Sequence, residues 1–394
     1  MISSLSIKTS MFRKMPVSWL MLKRYPLRLI TSFVALSISA ILVLMQFTIQ
    51  SSLYNTSTAL ISALDADAFL LSRQSSSING MASFPSERLS LVYGGSDVEQ
   101  VYPFSFRYVE WRLPGQAIGR YPLGIGIDPF GHPFLNDRLS QQLSSLAPDG
   151  TVLLDELSPA SYGAVKKTLA AGNDFVVSSG NQRLKVIGQF RLGPTFAYES
   201  TVIMSAKTFN QLFPIKEGTT SMGLIKLKPG VSASDWVRKT NQFLPSDVTV
   251  VSKQAFVRAE KRVWSDEKPI GFIFNSGAIM GLVIGAMMVY QMLSTDVSYN
   301  IYTYATMLSL GFRRSELEKI LVAKAFIISG IAYPLALVVS IAICNQISSA
   351  TSLQIQVSPS IAVSTYIMLL LVCVSASLVA MLKLRDADPS DLFY

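Results

Sequence analysis

Few side chains in this sequence could do chemistry, and those few are isolated from one another. His132 is the single histidine and lies in a turn-like GHPF segment, where it could be a general base or, more commonly, a solvated turn residue. The adjacent acidic pairs Asp155-Glu156 and Asp266-Glu267 point their carboxylates in different directions and cannot form a metal cage, so we expect both pairs to be solvated. The sequence therefore predicts no catalytic residue, no directly bound cofactor and no metal site.

The chain also lacks the residues with which a nucleotide hydrolase holds phosphate. A phosphate-binding loop needs a Gly-Lys dipeptide, because its lysine reaches the terminal phosphates, and the sequence contains none. If the function uses ATP, a separate subunit must hydrolyse it. We therefore predict that the chain is not an enzyme.

The composition indicates a membrane protein. Only 15% of the 394 residues are charged and 50% are hydrophobic, whereas about 25% of residues are charged in a typical soluble protein. The apolar residues are concentrated in long runs, and a helix of about 20 apolar residues crosses the hydrocarbon core of a bilayer. The last run has a polar middle and is long enough for two helices. We predict four transmembrane helices, at residues 29–50, 269–295, 321–345 and 361–382.

The positions of lysine and arginine predict the orientation of these helices. Basic residues precede the first helix, follow the fourth and lie between the second and third. In membrane proteins, lysine and arginine are enriched in the short segments on the cytoplasmic side. Both termini, 1–28 and 383–394, are therefore predicted to be cytoplasmic. Loop 296–320 is cytoplasmic too, whereas residues 346–360 contain no basic residue and form a short periplasmic loop. Residues 51–268 then form a large periplasmic domain, because long translocated domains are largely exempt from the charge rule.

The cytoplasmic flanks carry most of the net charge of +9, which we attribute to contact with membrane lipids and not with nucleic acid. Residues 11–25 mix Trp19 and Leu20 with Lys23 and Arg24. This mixture is typical of an amphipathic helix lying in the membrane interface, and a plain basic tail is the alternative.

Residues 51–268 alternate short strands with helices, which predicts a mixed α/β domain. Its two ends, 51–64 and 253–268, have helical character and predict two stalk helices next to the transmembrane helices. The outer strands and helices form split β-α-β pieces, and residues 150–213 form an inserted, mostly β subdomain. Both cysteines lie in predicted transmembrane helices, so we expect the domain to lack disulfides.

Two features of the transmembrane helices could make specific contacts. Gly277, Gly281 and Gly285 recur at every fourth residue and share one face of the second helix, which would let a neighbouring backbone approach closely, although glycine is also common in such helices. Lys324 lies about one turn inside the third helix. Its ammonium group could extend to the cytoplasmic interface, which we favour, or pair with a polar group within the bundle.

The loop between the second and third transmembrane helices is unusually apolar. Tyr304, Met307, Leu308 and Leu310 lie close together in it, and Gly311 could end the helix. An exposed apolar helix indicates a partner that covers it, which we favour; the alternative is that the same residues form a buried cap on the transmembrane helices.

Seven segments, in this order and spacing, carry a resemblance to a known family. They are SSLYNTSTALISALDADAFLLS, VEQVYPF, VLLDELSPASYG, RLGPTFAYESTVIMS, PIGFIFNSGAIMGLVIGAMMVYQMLSTDV, YATMLSLGFRRSELEKILVAKA and ADPSDLF. Over nearly its whole length the chain resembles the DevC-type permease subunits of ABC exporters, within the larger MacB/FtsX-like group.

The resemblance implies a type VII ABC transporter-like fold and a homodimer in the inner (plasma) membrane. It also implies a cytoplasmic coupling helix that docks on a separate ABC ATPase subunit. The residues implied for this docking are Ile301, Tyr304, Ala305, Met307, Leu308, Gly311 and Phe312.

The resemblance further implies a periplasmic membrane-fusion (adaptor) protein and a TolC-type outer-membrane channel as partners. ATP used by the partner ATPase would move the periplasmic domain and expel a lipid-like or other envelope substrate. A different class of function is the alternative: an FtsX-like regulator that controls a periplasmic enzyme or assembly and transports nothing.

Overall fold

A computed structural model describes residues 26–75, 77–213 and 218–385. The predicted amphipathic segment, 11–25, and most of the predicted cytoplasmic tail, 386–394, lie outside the described residues.

The chain separates into two compact units. The helical unit contains the described residues up to Gln50, Phe272–Gln346 and the described residues from Ile355 onward. The α/β unit contains Ser51–Gly271 and Ile347–Gln354. Each unit has a buried apolar core of its own.

The helices of the described residues have the following bounds: α1 Pro26–Ser57, α2 Ala59–Ala63, α3 Ser90–Tyr93, α4 Asp137–Leu143, α5 Val165–Ala170, α6 Ala206–Leu212, α7 Ala233–Thr240, α8 Lys253–Arg262, α9 Pro269–Tyr299, α10 Ile301–Ser309, α11 Arg314–Thr351 and α12 Pro359–Arg385. Short 3-10 helices lie at Ile78–Gly80, Ser86–Leu89, Ser144–Leu146 and Ala160–Tyr162, and Val263–Glu267 form a π-helical turn.

Four of these helices are long and apolar enough to cross a membrane: Leu29–Ser57 of α1, all of α9, Ser315–Thr351 of α11 and Pro359–Met381 of α12. They correspond to the four predicted transmembrane helices, although α1 and α11 continue past the predicted ends at residues 50 and 345. The helices pack around a common core, to which each contributes buried leucines, among them Leu44, Leu293, Leu321 and Leu369. Both cysteines are free and buried, one in α11 and one in α12.

The strands of the α/β unit have the following bounds: β1 Ala68–Ser72, β2 Phe84–Pro85, β3 Val98–Tyr108, β4 Leu123–Ile127, β5 Thr151–Asp155, β6 Phe175–Ser179, β7 Gln182–Phe190, β8 Thr201–Ser205, β9 Thr219–Thr220, β10 Met222–Leu227 and β11 Val248–Ser252. Nine of these strands form one mixed sheet in the order β11-β1-β10-β3-β4-β8-β5-β7-β6, and β2 pairs only with β9.

One end of this sheet is a split β-α-β unit. Strand β1 lies between β10 and β11 and is antiparallel to both, so β10 and β11 run parallel to each other and α7 connects them. The Ser232 hydroxyl accepts a hydrogen bond from the Asp235 amide and caps α7. Trp236 of α7 packs into a core with Val248 and Val250 of β11.

Strand β3 joins the two halves of the sheet. Its first part pairs with β10, and its last part, from Ser105 to Tyr108, pairs with β4. An eleven-residue strand is long enough to have a different neighbour at each end. The strands of the predicted insert, 150–213, belong to this same sheet, and β4 in front of the insert lies in the same half.

Candidate functional site

A short helix fills the loop between α9 and α11, and a glycine fixes its end. Gly311 follows α10 with a φ of +89°, a left-handed conformation that favours glycine. Its N–H group donates to the Leu308 carbonyl at 3.0 Å, and the Phe312 N–H group donates to the Met307 carbonyl at 3.1 Å. This pair of hydrogen bonds is a Schellman motif, which turns the chain sharply away from the helix axis.

The two sides of α10 have different surroundings. Tyr304 and Ala305 are buried, and Tyr304 belongs to the core of the helical unit. On the other side and at the end of the helix, Tyr302, Leu310 and Phe312 are 67%, 73% and 42% exposed. The segment is therefore both a cap on the core and an exposed apolar surface, so each of the two alternatives left open by the sequence describes one side of it.

The residues implied for docking are divided between these two sides. Gly311 and Phe312 are exposed, whereas Tyr304 and Ala305 face the interior of their own unit. The remaining three, Ile301, Met307 and Leu308, are half-buried. Tyr302 and Leu310, which were not among the residues implied for docking, are the most exposed large apolar side chains of the segment. The sequence could not identify them as exposed, because their exposure depends on how α10 is rotated about its axis. That rotation is determined by packing against α9 and α11.

A group of four polar side chains connects α9, α10 and α11. Lys324 of α11 has no exposed surface, and its ammonium group forms an ion pair with the carboxylate of Asp296 in α9. The same ammonium group donates to the Tyr304 hydroxyl at 3.1 Å and lies 5.6 Å from the centre of that ring. The Tyr304 hydroxyl donates to Asp296 Oδ2 at 3.4 Å, and Asn300 Nδ2 donates to Asp296 Oδ1 at 3.1 Å. We call Asp296, Asn300, Tyr304 and Lys324 the polar joint.

The favoured prediction for Lys324, an ammonium group extending to the membrane interface, is wrong. The alternative, pairing inside the bundle, is what the structure contains, because a carboxylate lies within reach of the buried amine. Sequence reasoning overlooked Asp296, although a signal was present. Asp296 directly follows the uncharged run 269–295, and Lys324 directly precedes the uncharged run 325–382. Two residues of opposite charge thus lie at the ends of neighbouring apolar helices.

The three glycines of α9 lie against α1. A β-carbon added at Gly277 would come within 2.3 Å of Gln46 Nε2. One added at Gly285 would come within 2.5 Å of Ser39 Oγ, a hydroxyl that also donates to the Gly281 carbonyl at 2.6 Å. The glycine face thus allows close approach of two helices within this unit, and hydrogen bonding adds to the contact.

In the α/β unit, a lysine connects the two predicted stalk segments. Lys253, the first residue of α8, donates from Nζ to the Ser62 carbonyl at 3.1 Å and to the Leu64 carbonyl at 2.6 Å. These carbonyls lie at the end of α2, where a helix has unpaired acceptors and a partial negative charge. Burial lowers the pKa of Lys253, and the carboxylates of Asp65 and Asp67 oppose this effect.

The expectation that Asp155 and Glu156 are both solvated is half wrong. Glu156 is exposed and pairs with Lys166, but Asp155 is fully buried at the end of β5. Its carboxylate accepts hydrogen bonds from the main-chain amides of Leu157, Leu192 and Gly193. Burial raises the pKa of Asp155, although these three bonds oppose the shift. The carboxylate holds the loop after β7 in place, and its main-chain partners cannot be recognised in the sequence.

A second carboxylate is buried near the end of α8. Glu260 has 1% of its surface exposed and accepts hydrogen bonds from the Ile78 amide at 3.0 Å and from Trp264 Nε1 at 3.1 Å. Burial raises the pKa of Glu260, and the two hydrogen bonds oppose the shift. His132 is exposed. Among the described residues no group of three His, Cys, Asp or Glu side chains could hold a metal ion.

The comparison with protein families concerns the part of the chain that contains the polar joint. Residues 275–389 match the family model described as FtsX-like permease C-terminal. The matched FtsX-like region contains the polar joint, α10 and two of the four apolar helices in full. Together with those four helices, the match fits a multi-pass membrane permease. No curated protein matches the chain.

Solved structures similar to this chain include two soluble domains. The periplasmic region of MacB from Actinobacillus actinomycetemcomitans is 11% identical, with a TM-score of 0.34, over 50% of this chain and 94% of that one. The extracellular domain of the noncanonic ABC-type transporter YknZ from Gram-positive bacteria is 15% identical, with a TM-score of 0.32, over 47% of this chain and 98% of that one.

Proposed function

We propose that this chain is the permease subunit of an ABC-type transporter and that a separate ATPase subunit hydrolyses ATP for it. The observation that carries the proposal is the FtsX-like region, which contains a short helix with an exposed apolar side between two membrane-crossing helices. The lack of a Gly-Lys dipeptide in the sequence supports a division of work between two subunits.

The ATPase docks on Tyr302, Leu310 and Phe312, which we call the docking surface. All three side chains are apolar and exposed, which indicates a protein partner, and aromatic residues commonly anchor such contacts. The positive-inside rule supports a cytoplasmic location, because Arg313 follows α10 and Lys319 lies near the start of α11. The Schellman motif at Gly311 keeps Phe312 at a fixed position beside the helix end.

The permease acts by transmitting movement and not by chemistry. Each unit has polar contacts between helices that suit this role: the polar joint in the helical unit, and Lys253 at the end of α2 in the α/β unit. Hydrogen bonds of this kind fix the relative position of two helices, whereas apolar contacts alone permit them to slide. No bound cofactor is needed in this mechanism.

The finer assignment depends on the resemblance to DevC-type permeases. It supports a homodimer in the inner membrane with both termini in the cytoplasm, a periplasmic adaptor protein, a TolC-type outer-membrane channel and a lipid-like envelope substrate. A regulator of a periplasmic enzyme would use the same mechanics and differ only in what the α/β unit contacts.

Purification of the tagged full chain from its native membranes in mild detergent tests the proposal. We expect an ATPase subunit with a phosphate-binding loop to co-purify in a fixed ratio, and an adaptor protein with it. Lipid analysis of the cell envelope after deletion of the chain separates the two functions. Loss of one lipid class from the outer membrane indicates export, whereas an unchanged lipid profile with a co-purified periplasmic hydrolase indicates regulation. Purification of the chain without any ATPase would contradict the proposal.

A further inference from the structure

Three members of the polar joint come from three consecutive helices in the sequence. Asp296 lies in the last turns of α9, Tyr304 on the buried side of α10 and Lys324 in α11. The Tyr304 hydroxyl donates to the carboxylate and accepts from the ammonium group, so it bonds to both charged partners at once. Tyr304 is thus the point at which α10 is attached to its two neighbours by directed hydrogen bonds.

Stability alone does not require an ion pair at this position. A buried pair of charges often contributes no more to stability than apolar residues of similar size, because both charges must leave water. The surroundings are apolar, with Leu293, Val297 and Leu321 buried in the same core. The charges instead fix the positions of the side chains relative to one another. Lys324 has no exposed surface, so its ammonium group must stay paired with the Asp296 carboxylate, and the Tyr304 hydroxyl must stay within reach of both.

Tyr304 of the polar joint lies on a different side of α10 from Tyr302 of the docking surface. Tyr302 and Tyr304 are two residues apart on a helix and therefore point to different sides, one exposed and one buried. On the buried side, Tyr304 makes directed contacts with Asp296 of α9 and Lys324 of α11.

We infer that Lys324, Asp296 and Tyr304 are positioning residues that pass movement of α10 to α9 and α11, so that ATP hydrolysis in the docked subunit moves these membrane helices. This inference rests on the proposed function, since it takes α10 to be the docking helix. It separates two properties: the docking surface determines whether the ATPase binds, and the polar joint determines whether binding is converted into movement.

Two variants test the inference in the native complex. Tyr304→Phe keeps the ring and removes only the hydroxyl, and the double variant Asp296→Leu with Lys324→Met replaces the ion pair by apolar side chains, which leaves no unpaired buried charge. Tyr290→Phe is the matched control, because Tyr290 is an exposed tyrosine of α9, whereas Tyr304 is buried. The readout is the ATP-dependent change in hydrogen–deuterium exchange of α9 and α11, with the amount of co-purified ATPase measured in the same samples.

We expect all variants to retain the ATPase. Tyr304→Phe should partly lose the ATP-dependent change in exchange, the double variant should lose it completely, and Tyr290→Phe should respond like the unmodified chain. If both joint variants respond like the unmodified chain while the ATPase is bound, the inference is wrong and the proposed function stands. If the unmodified chain binds no ATPase, or ATP changes nothing in it, the proposed function fails and the inference fails with it.

Discussion

Lys324 of α11 and Asp296 of α9 form a buried ion pair, although 28 residues separate them in sequence. Ionisable side chains within membrane-crossing helices are costly, and they pair with one another or face a polar cavity. This pair joins α9 to α11 within the helical unit. It therefore distinguishes one arrangement of α9, α10 and α11 from other packings of the same apolar surfaces.

Breaking the pair should destabilise the chain more than replacing it. Lys324→Met leaves a buried carboxylate without its cation and should lower the free energy of unfolding by about 3–5 kcal/mol. Adding Asp296→Leu should restore most of that loss, because no charge then remains buried. Thermal unfolding in detergent measures both variants. Equal destabilisation by the single and double variants would show that the charges are not coupled.

The glycine face of α9 should tolerate no side chain. At Gly281 an added β-carbon would lie 2.8 Å from Val43 Cγ2, a stiff β-branched neighbour, so Gly281→Leu should cost about 1–3 kcal/mol through overpacking. Gly330 in α11 has open space around its added β-carbon and provides the control, Gly330→Leu. The unfolding temperatures in detergent should differ, with Gly281→Leu the lower. Equal temperatures would mean that α1 and α9 do not pack closely through this glycine.

Lys253 should stabilise the end of α2. Lys253→Met keeps most of the aliphatic chain and removes two charge-assisted hydrogen bonds to main-chain carbonyls, which should cost about 1–3 kcal/mol locally. Hydrogen–deuterium exchange of residues 59–64 should become faster in the full chain. Lys228→Met, at an exposed lysine, is the control and should leave this exchange unchanged. Protection equal to that of the unmodified chain would remove Lys253 from the mechanism.

Glu260 should make stability depend on pH. Burial raises its pKa in the folded protein above the value in the unfolded chain. The folded state therefore holds the proton more tightly, and the stabilisation is present at low pH and is lost as the pH rises through the folded pKa. Because Glu260→Gln does not titrate, its unfolding temperature relative to the unmodified chain should rise from about pH 4.3, the ordinary pKa of glutamate, toward neutral pH. A constant difference across this range would contradict the assignment.

Substitution in the docking surface should weaken ATPase binding without unfolding the chain. Leu310 is 73% exposed, so Leu310→Glu should be neutral for stability and should place a charge in the contact. Phe243→Glu, at an 85% exposed side chain of the α/β unit, is the control. Co-purified ATPase, measured relative to the tagged chain, should fall only for Leu310→Glu. Full retention of the ATPase would place the docking surface elsewhere.

Local sequence signals predicted most elements of the fold. The apolar runs predicted the four long helices, and a Pro-Gly turn between an apolar strand and a Ser-capped helix predicted the order β10, α7 and β11. Long-range pairing could not be predicted in this way. The length of β3 allows it to join two halves of one sheet, but the residues of β3 do not predict that β10 and β4 are its neighbours.

The candidate site was predictable in place but not in orientation. Gly311 and the apolar loop indicated a short helix between two membrane helices, and that helix is present. Its rotation is determined by Tyr304, which is drawn inward by Asp296 and Lys324, and this depends on three helices packing together. In the proposed docking surface, the exposed Tyr302 and Leu310 replace the buried Tyr304 and Ala305.

The most direct test of the central claim is the rate of ATP hydrolysis by the purified full chain in lipid nanodiscs, alone and with its co-purified ATPase. The account predicts that the chain alone hydrolyses no ATP and that the chain with its ATPase does. It also predicts that the rate with the ATPase changes when the chain carries Leu310→Glu. Hydrolysis of ATP by the chain alone would contradict it.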